Sequence, residues 1–200
     1  SALLTTISET LRENEWTIQA VVRGNQLVAL LPPKTPLLGL AVDIGTTKLA
    51  AYLCDLSSGK VLAKSGAMNP QISYGEDVIT RIAYATTLER RKILQNRIID
   101  SLNQLITALC NQACEQGLSV TPENILEAVI VGNTAMHHLF SGLPVTQLGV
   151  SPYVPAASQA LELRAREIGL TTAPGAVVYL PPNIAGYVGA DHVAMLLATG

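Results

Sequence analysis

Leu38-Gly39-Leu40-Ala41-Val42-Asp43 is the segment that most constrains the fold. It is an uncharged run of strand length that ends in a carboxylate, and after Ile44 comes the small-residue turn Gly45-Thr46-Thr47. Such a run suits a central strand covered on both faces. Lys48 to Asp55 then alternates as a second strand, Ser57-Ser58-Gly59 turns the chain, and Lys60 to Ala67 reads as a third, which makes a three-strand meander. Upstream, Pro32-Pro33-Lys34-Thr35-Pro36 interrupts both helix and ladder bonding, because each proline lacks a backbone donor. The expected division is a small αββ unit over 1–31, a Pro-rich linker over 32–37, and a larger α/β unit over 38–200.

Beyond the meander, helical spacing begins at about Glu76 and runs to Ala85. A longer helix follows, in which Leu94, Ile98, Leu102, Leu105 and Leu109 share one face, with Gly117 as its stop signal. Thr121-Pro122-Glu123 predicts a short helical turn before the strand Ala128 to Val131. Gly132-Asn133-Thr134 opens a helix over about Ala135 to Phe140. Leu161 to Ile168 carries no decisive period, Ala176 to Leu180 reads as a fifth strand, and Gly189 to Ala198 as a closing helix. The order is βββ, α, α, β, α, β, α, with five strands in one mixed sheet.

Charge narrows the function classes. With 13 basic against 15 acidic side chains and a net charge of −2, the chain has no basic surplus to match nucleic acid or an anionic membrane. No apolar run reaches the roughly 18 residues of a membrane span. Cys54, Cys110 and Cys114 fit neither a disulfide framework nor a zinc or iron-sulfur spacing, and read as reduced thiols on a strand and along a helix. A cytoplasmic protein is expected, and the sequence reads as a piece of a longer one.

Asp43, Gly45, Thr46, Thr47 and Lys48 are the candidates for chemistry. A tight Gly turn can aim successive backbone N–H groups at phosphate oxygens, two hydroxyls add donors, and a strand-end carboxylate can hold magnesium through water. Lys48 could meet a phosphate or point to solvent. Taken alone, a plain β-turn with a capping Asp fits the pattern equally well.

Context adds to this. The loop between the first two strands of the meander resembles the first phosphate loop of the actin-like ATPase superfamily, and the strand, Gly189-Ala190-Asp191 and final helix resemble that superfamily's first connecting helix. Four blocks resemble one branch more closely. They are Leu40 to Thr47; Ala67-Met68-Asn69-Pro70-Gln71 with Tyr74 to Ile82; Val131-Gly132-Asn133-Thr134-Ala135-Met136-His137; and Pro182 to Asp191. Together they resemble the reductive activators of corrinoid proteins. The resemblance implies a ribonuclease H-like, actin-like ATPase subdomain, here its first lobe (38–200), preceded by the tail of a middle domain. It implies a protein that uses ATP and Mg to drive an electron from a 2Fe-2S cluster, held outside these residues, to cob(II)alamin of a corrinoid protein, restoring cob(I)alamin.

By the same resemblance the nucleotide phosphates meet Asp43, Gly45, Thr46, Thr47 and Lys48, Mg is ordered by Asp43, and Gly132, Asn133, Thr134, Gly189 and Asp191 line the cleft. The family commonly has another Thr at the position of Lys48. The second phosphate loop and the adenosine segment would lie beyond Gly200, so these 200 residues alone are expected to be inactive, whereas the full-length protein is expected to be an ATP-dependent enzyme. The alternative is the corresponding lobe of a sugar or acyl kinase. Expected partners are the corrinoid protein and, among the options, a second copy of the chain.

Several motifs have simpler readings. Adjacent His137 and His138 point about 100° apart on a helix and suit a surface or partly buried position better than a metal site. Asn133 is first an N-cap. Glu76 and Asp77 complement a helix dipole, Arg90-Arg91-Lys92 reads as a solvated helix face, and Asp191 as a cap.

Overall fold

A computed structural model describes residues 2–199, with side-chain surroundings from Ile7 onward. Helix α1 (Ala2–Glu13) leads into the antiparallel hairpin β1 (Gln19–Arg23) and β2 (Gln26–Leu31). The main sheet comprises β3 (Leu38–Ile44), β4 (Lys48–Asp55), β5 (Val61–Met68), β6 (Ile125–Gly132), β7 (Leu161–Arg164) and β8 (Val177–Leu180), in the order β5-β4-β3-β6-β8-β7. The fold is α/β with a mixed sheet, as expected, but the sheet has six strands where the sequence suggests five. The sixth, β7, covers the first half of the ambiguous segment. It is four residues long and pairs antiparallel with β8 at the sheet edge, too short to show a period.

β3 and β6 are parallel neighbours, and helices α2 (Val78–Tyr84) and α3 (Leu88–Glu115) fill the crossover between β5 and β6. A parallel pair requires such a long connection. Asp77 starts α2 through a reciprocal capping box with Thr80, so the helix begins two residues later than Glu76 and the acids precede it. Thr87 caps α3. Gly117, at φ +90°, lies just past its end in the left-handed region that favours glycine. The α3 stripe Leu94, Ile98, Leu102, Leu105 and Leu109 is buried, as its spacing predicts, against the face of the sheet carrying Leu40, Val42 and Ile44. Each such side chain contributes about 1.5–3 kcal/mol.

The opposite face of β3 is less covered than a doubly buried strand requires. On the neighbouring strands Tyr52 is 41% and Val129 39% exposed, so within these residues β3 is central yet covered fully on one face only. The hairpin reaches the sheet at its other end. Arg23 holds Glu162 bidentately at 2.6 and 3.0 Å, the Gly175 amide donates to the Val28 carbonyl, and Val28, Ala29 and Leu31 join the main hydrophobic cluster.

Helix α4 (Thr134–Ser141) follows β6 directly, and α5 (Ala190–Thr199) follows the irregular segment after β8. α4 is buried from Thr134 to Phe140, so His137 and His138 lie in the interior and not at the surface or partly exposed. His138 has a structural task. Its Nε2 accepts from the Ala156 and Ala157 amides at 3.0 and 3.3 Å, so Nδ1 carries the proton and donates to the Thr134 carbonyl at 2.8 Å. Among the described residues His137 finds no partner for either ring nitrogen. Among the described residues no group of three or more His, Cys, Asp or Glu could hold a metal, no helix is long and apolar enough to cross a membrane, and the three Cys are free thiols.

Candidate phosphate-binding site

β3 and β6 end side by side, Ile44 in register with Gly132, so the turn after β3 and the start of α4 lie at the same edge of the sheet. Carboxyl edges of parallel strands are where open α/β sheets bind ligands. Gly45 is required by crowding, since a Cβ there would sit 2.7 Å from the Lys48 carbonyl oxygen. The three carbonyls of the turn are all tied back into the protein. Asn69 Nδ2 donates to the Gly45 oxygen at 2.8 Å, Arg81 Nη2 to the Thr46 oxygen at 2.5 Å, and the Asn69 amide to the Thr47 oxygen at 2.8 Å.

The direction of the amides follows from peptide geometry. In a trans peptide the C=O of one residue and the N–H of the next point in opposite directions. Tying the Gly45 and Thr46 carbonyls inward therefore turns the Thr46 and Thr47 amides outward, and among the described residues neither has a protein acceptor. Two adjacent outward donors are able to receive an anion. Thr46 is half-buried, with its hydroxyl accepting from Asn133 Nδ2 at 3.0 Å, while Thr47 and Lys48 are exposed.

The second wall comes from α4 and α5. Asn133 is the expected N-cap, its side-chain oxygen accepting from the Met136 amide at 3.1 Å. Thr134 donates its hydroxyl to the Ala185 carbonyl at 2.7 Å, tying α4 to the segment before α5. At Gly189 a Cβ would fall 2.3 Å from the Gly132 carbonyl oxygen, so α5 starts in backbone contact with the β6–α4 junction. Asp191 lies in the first turn of α5 and is not its cap residue. Partial burial of its carboxyl and the charge of Asp191 raise the pKa of Asp43, a residue that stays exposed at the sheet edge. Two carboxylates near enough to feel each other's charge, beside outward amides, suit a cation that accompanies an anion.

The residues singled out in the sequence thus converge on one edge. Asp43 is the last residue but one of β3, Gly45, Thr46 and Thr47 form the turn, Lys48 opens β4, and Gly132, Asn133, Thr134, Gly189 and Asp191 stand across from it. Sequence reasoning missed the supports beneath the turn. Asn69 is 1% and Arg81 0% exposed, and Met136 sulfur lies 3.4 Å from Arg81 Nη1. The signal available was Asn69 directly after β5, where it caps a 3-10 turn (Pro70–Tyr74).

Comparison with known proteins agrees with this architecture. A family model described as the RACo middle region matches residues 38–200. The chain is 34% identical over 184 residues to the corrinoid activation enzyme RamQ of Eubacterium limosum, an alignment covering 90% of this chain and 30% of RamQ. A solved structure of a reductive activator for corrinoid, iron-sulfur protein superposes with a TM-score of 0.85 at 33% identity, covering 100% of this chain and 32% of that one. The chain therefore spans less than a third of the length of these relatives. By the match over residues 38–200, it belongs to the RACo middle region family.

Proposed function

We propose that residues 38–200 form the phosphate-gripping lobe of an ATP-dependent reductive activator, which returns the cob(II)alamin of a corrinoid protein to cob(I)alamin. Residues 1–31 would be the tail of the preceding domain, with 32–37 as the joint. The observation that carries the reading is the pair of outward Thr46 and Thr47 amides beside Asp43 and Asp191. The names of RamQ and of the structural relative supply the corrinoid and iron-sulfur context.

The donor set fits a magnesium nucleotide. The Thr46 and Thr47 amides, the Thr47 hydroxyl and Lys48 would meet phosphate oxygens, and Asp43 would order the magnesium ion through water. ATP, when bound, supplies the free energy that an uphill electron transfer needs. The residues of this lobe would hold the phosphates, while the Gly189 contact couples α5 to the β6–α4 junction, which Asn133 joins to the turn. A ligand changes the shape of a cleft only by binding its conformations unequally, and a turn tied to two helices gives this lobe a means of passing that difference on. The 2Fe-2S cluster would lie elsewhere in the protein. The three free thiols fit a reducing compartment such as the cytoplasm.

The test is to mix the full-length protein with a corrinoid protein in the cob(II)alamin state and a reductant, with and without Mg-ATP, and to follow the cob(I)alamin absorption band. The reading expects the band only with Mg-ATP. A band that forms equally without nucleotide would refute it.

A further inference from the structure

We propose that Arg81 is a positioning residue of the phosphate turn: its guanidinium fixes the Thr46–Thr47 peptide with the amide facing out, and leaves an unpaired positive charge behind the turn that an anionic ligand in front of it balances. This rests on the nucleotide reading above.

Arg81 is 0% exposed, yet it makes no ion pair among the described residues. Its partners are neutral: Nε donates to the Gly75 carbonyl at 2.8 Å, Nη2 to the Thr46 carbonyl at 2.5 Å, and Nη1 to the Met136 sulfur at 3.4 Å. The nearby acid, Asp77, is exposed and caps α2, accepting from the Thr80 amide and hydroxyl at 2.8 and 2.7 Å; its charge favours the Arg81 cation from a distance without a contact ion pair, while burial opposes that cation more strongly. Arginine stays protonated even when burial opposes it. A buried charge without a counter-charge is unfavourable to folding. A residue needed only to fill space or satisfy carbonyls could be neutral, and the charge is explained if its counterpart arrives with the ligand.

The geometry assigns the direction of the effect. The cation sits on the carbonyl side of the Thr46–Thr47 peptide, so it polarises that peptide and strengthens its N–H as a donor on the far side. The same bond prevents the peptide from flipping, which would present a carbonyl oxygen to the phosphate.

The experiment compares the full-length protein with Arg81→Lys and Arg81→Gln, measuring affinity for Mg-ATP, Mg-ADP and adenosine by calorimetry. For Arg81→Gln the expected loss is at least about tenfold for Mg-ATP, smaller for Mg-ADP and absent for adenosine, with Arg81→Lys intermediate because it keeps the charge and loses the fork. If Arg81→Gln does not fold, Arg81→Lys carries the same graded comparison. Equal losses for all three ligands, or undiminished Mg-ATP affinity in a folded variant, would overturn the assignment while leaving the nucleotide reading standing. A wild-type protein that binds none of the three would instead defeat the nucleotide reading, and this inference with it.

Discussion

Asn133 donates its side-chain amide to the Thr46 hydroxyl at 3.0 Å, while its side-chain oxygen caps α4. One side chain therefore joins the β3–β4 turn to a helix 87 residues away. Substitution tests the two jobs together. Asn133→Ala loses both and should cost about 1–2 kcal/mol, as lost N-caps do. Asn133→Asp keeps the cap acceptor, and because a carboxylate only accepts, the Thr46 hydroxyl must reverse its role and donate to it, so this variant should retain most of that stability and hold the Thr46 rotamer. Urea unfolding of the two variants, with side-chain NMR of Thr46, checks both outcomes.

The contact of Gly189 with Gly132 predicts a steric cost. An added methyl group would meet backbone, which cannot rotate away, so Gly189→Ala should destabilise by about 1–3 kcal/mol and shift the start of α5. Calorimetric unfolding measures this, and a neutral Gly189→Ala would mean that α5 does not abut the β6–α4 junction.

Asp43 gives a pH dependence of definite sign. Its folded-state pKa lies above its ordinary value of 3.8, so between that value and the raised one the folded state binds more protons than the unfolded state, and stability falls as pH rises. Asp191→Asn removes the like charge and should shrink the fall in apo melting temperature between pH 4 and pH 7. Magnesium should abolish that fall if Asp43 orders the cation. Melting curves at pH 4 and pH 7, with and without Mg, follow the sign.

His137 acts at lower pH in the opposite sense. Burial and the neighbouring His138 push it down to about 4, so the unfolded chain takes up its proton first and stability is lost as pH falls from 6.5 to about 4. His137→Leu removes two buried ring nitrogens that lack partners and this proton linkage. It should be at least as stable as the wild type at pH 7, and more stable at pH 5. Greater loss in the variant at pH 5 would assign the acid sensitivity elsewhere.

The meander, the α3 stripe and the Asn133 cap were legible in the sequence because each depends on local spacing: period two in β4, three to four in α3, and one capping residue. The turn Gly45-Thr46-Thr47 was legible for the same reason. β7 was not, because four edge residues show no period and owe their strand conformation to pairing with β8. Arg81 was not legible either, since a single arginine in a short helix reads as a surface residue. Its burial depends on where α2 comes to rest over the turn. The histidines of α4 went to the interior because that helix is enclosed on all sides, a matter of tertiary packing that adjacent residues cannot reveal.

The most direct test of the central claim, that this turn grips phosphates, is residue-resolved amide hydrogen exchange on the full-length protein with and without Mg-ATP. The account predicts that the Thr46 and Thr47 amides, which lack acceptors among the described residues, exchange fast in the free protein and become protected when Mg-ATP binds. Bound Mg-ATP that leaves both amides exchanging at their free rates would contradict it.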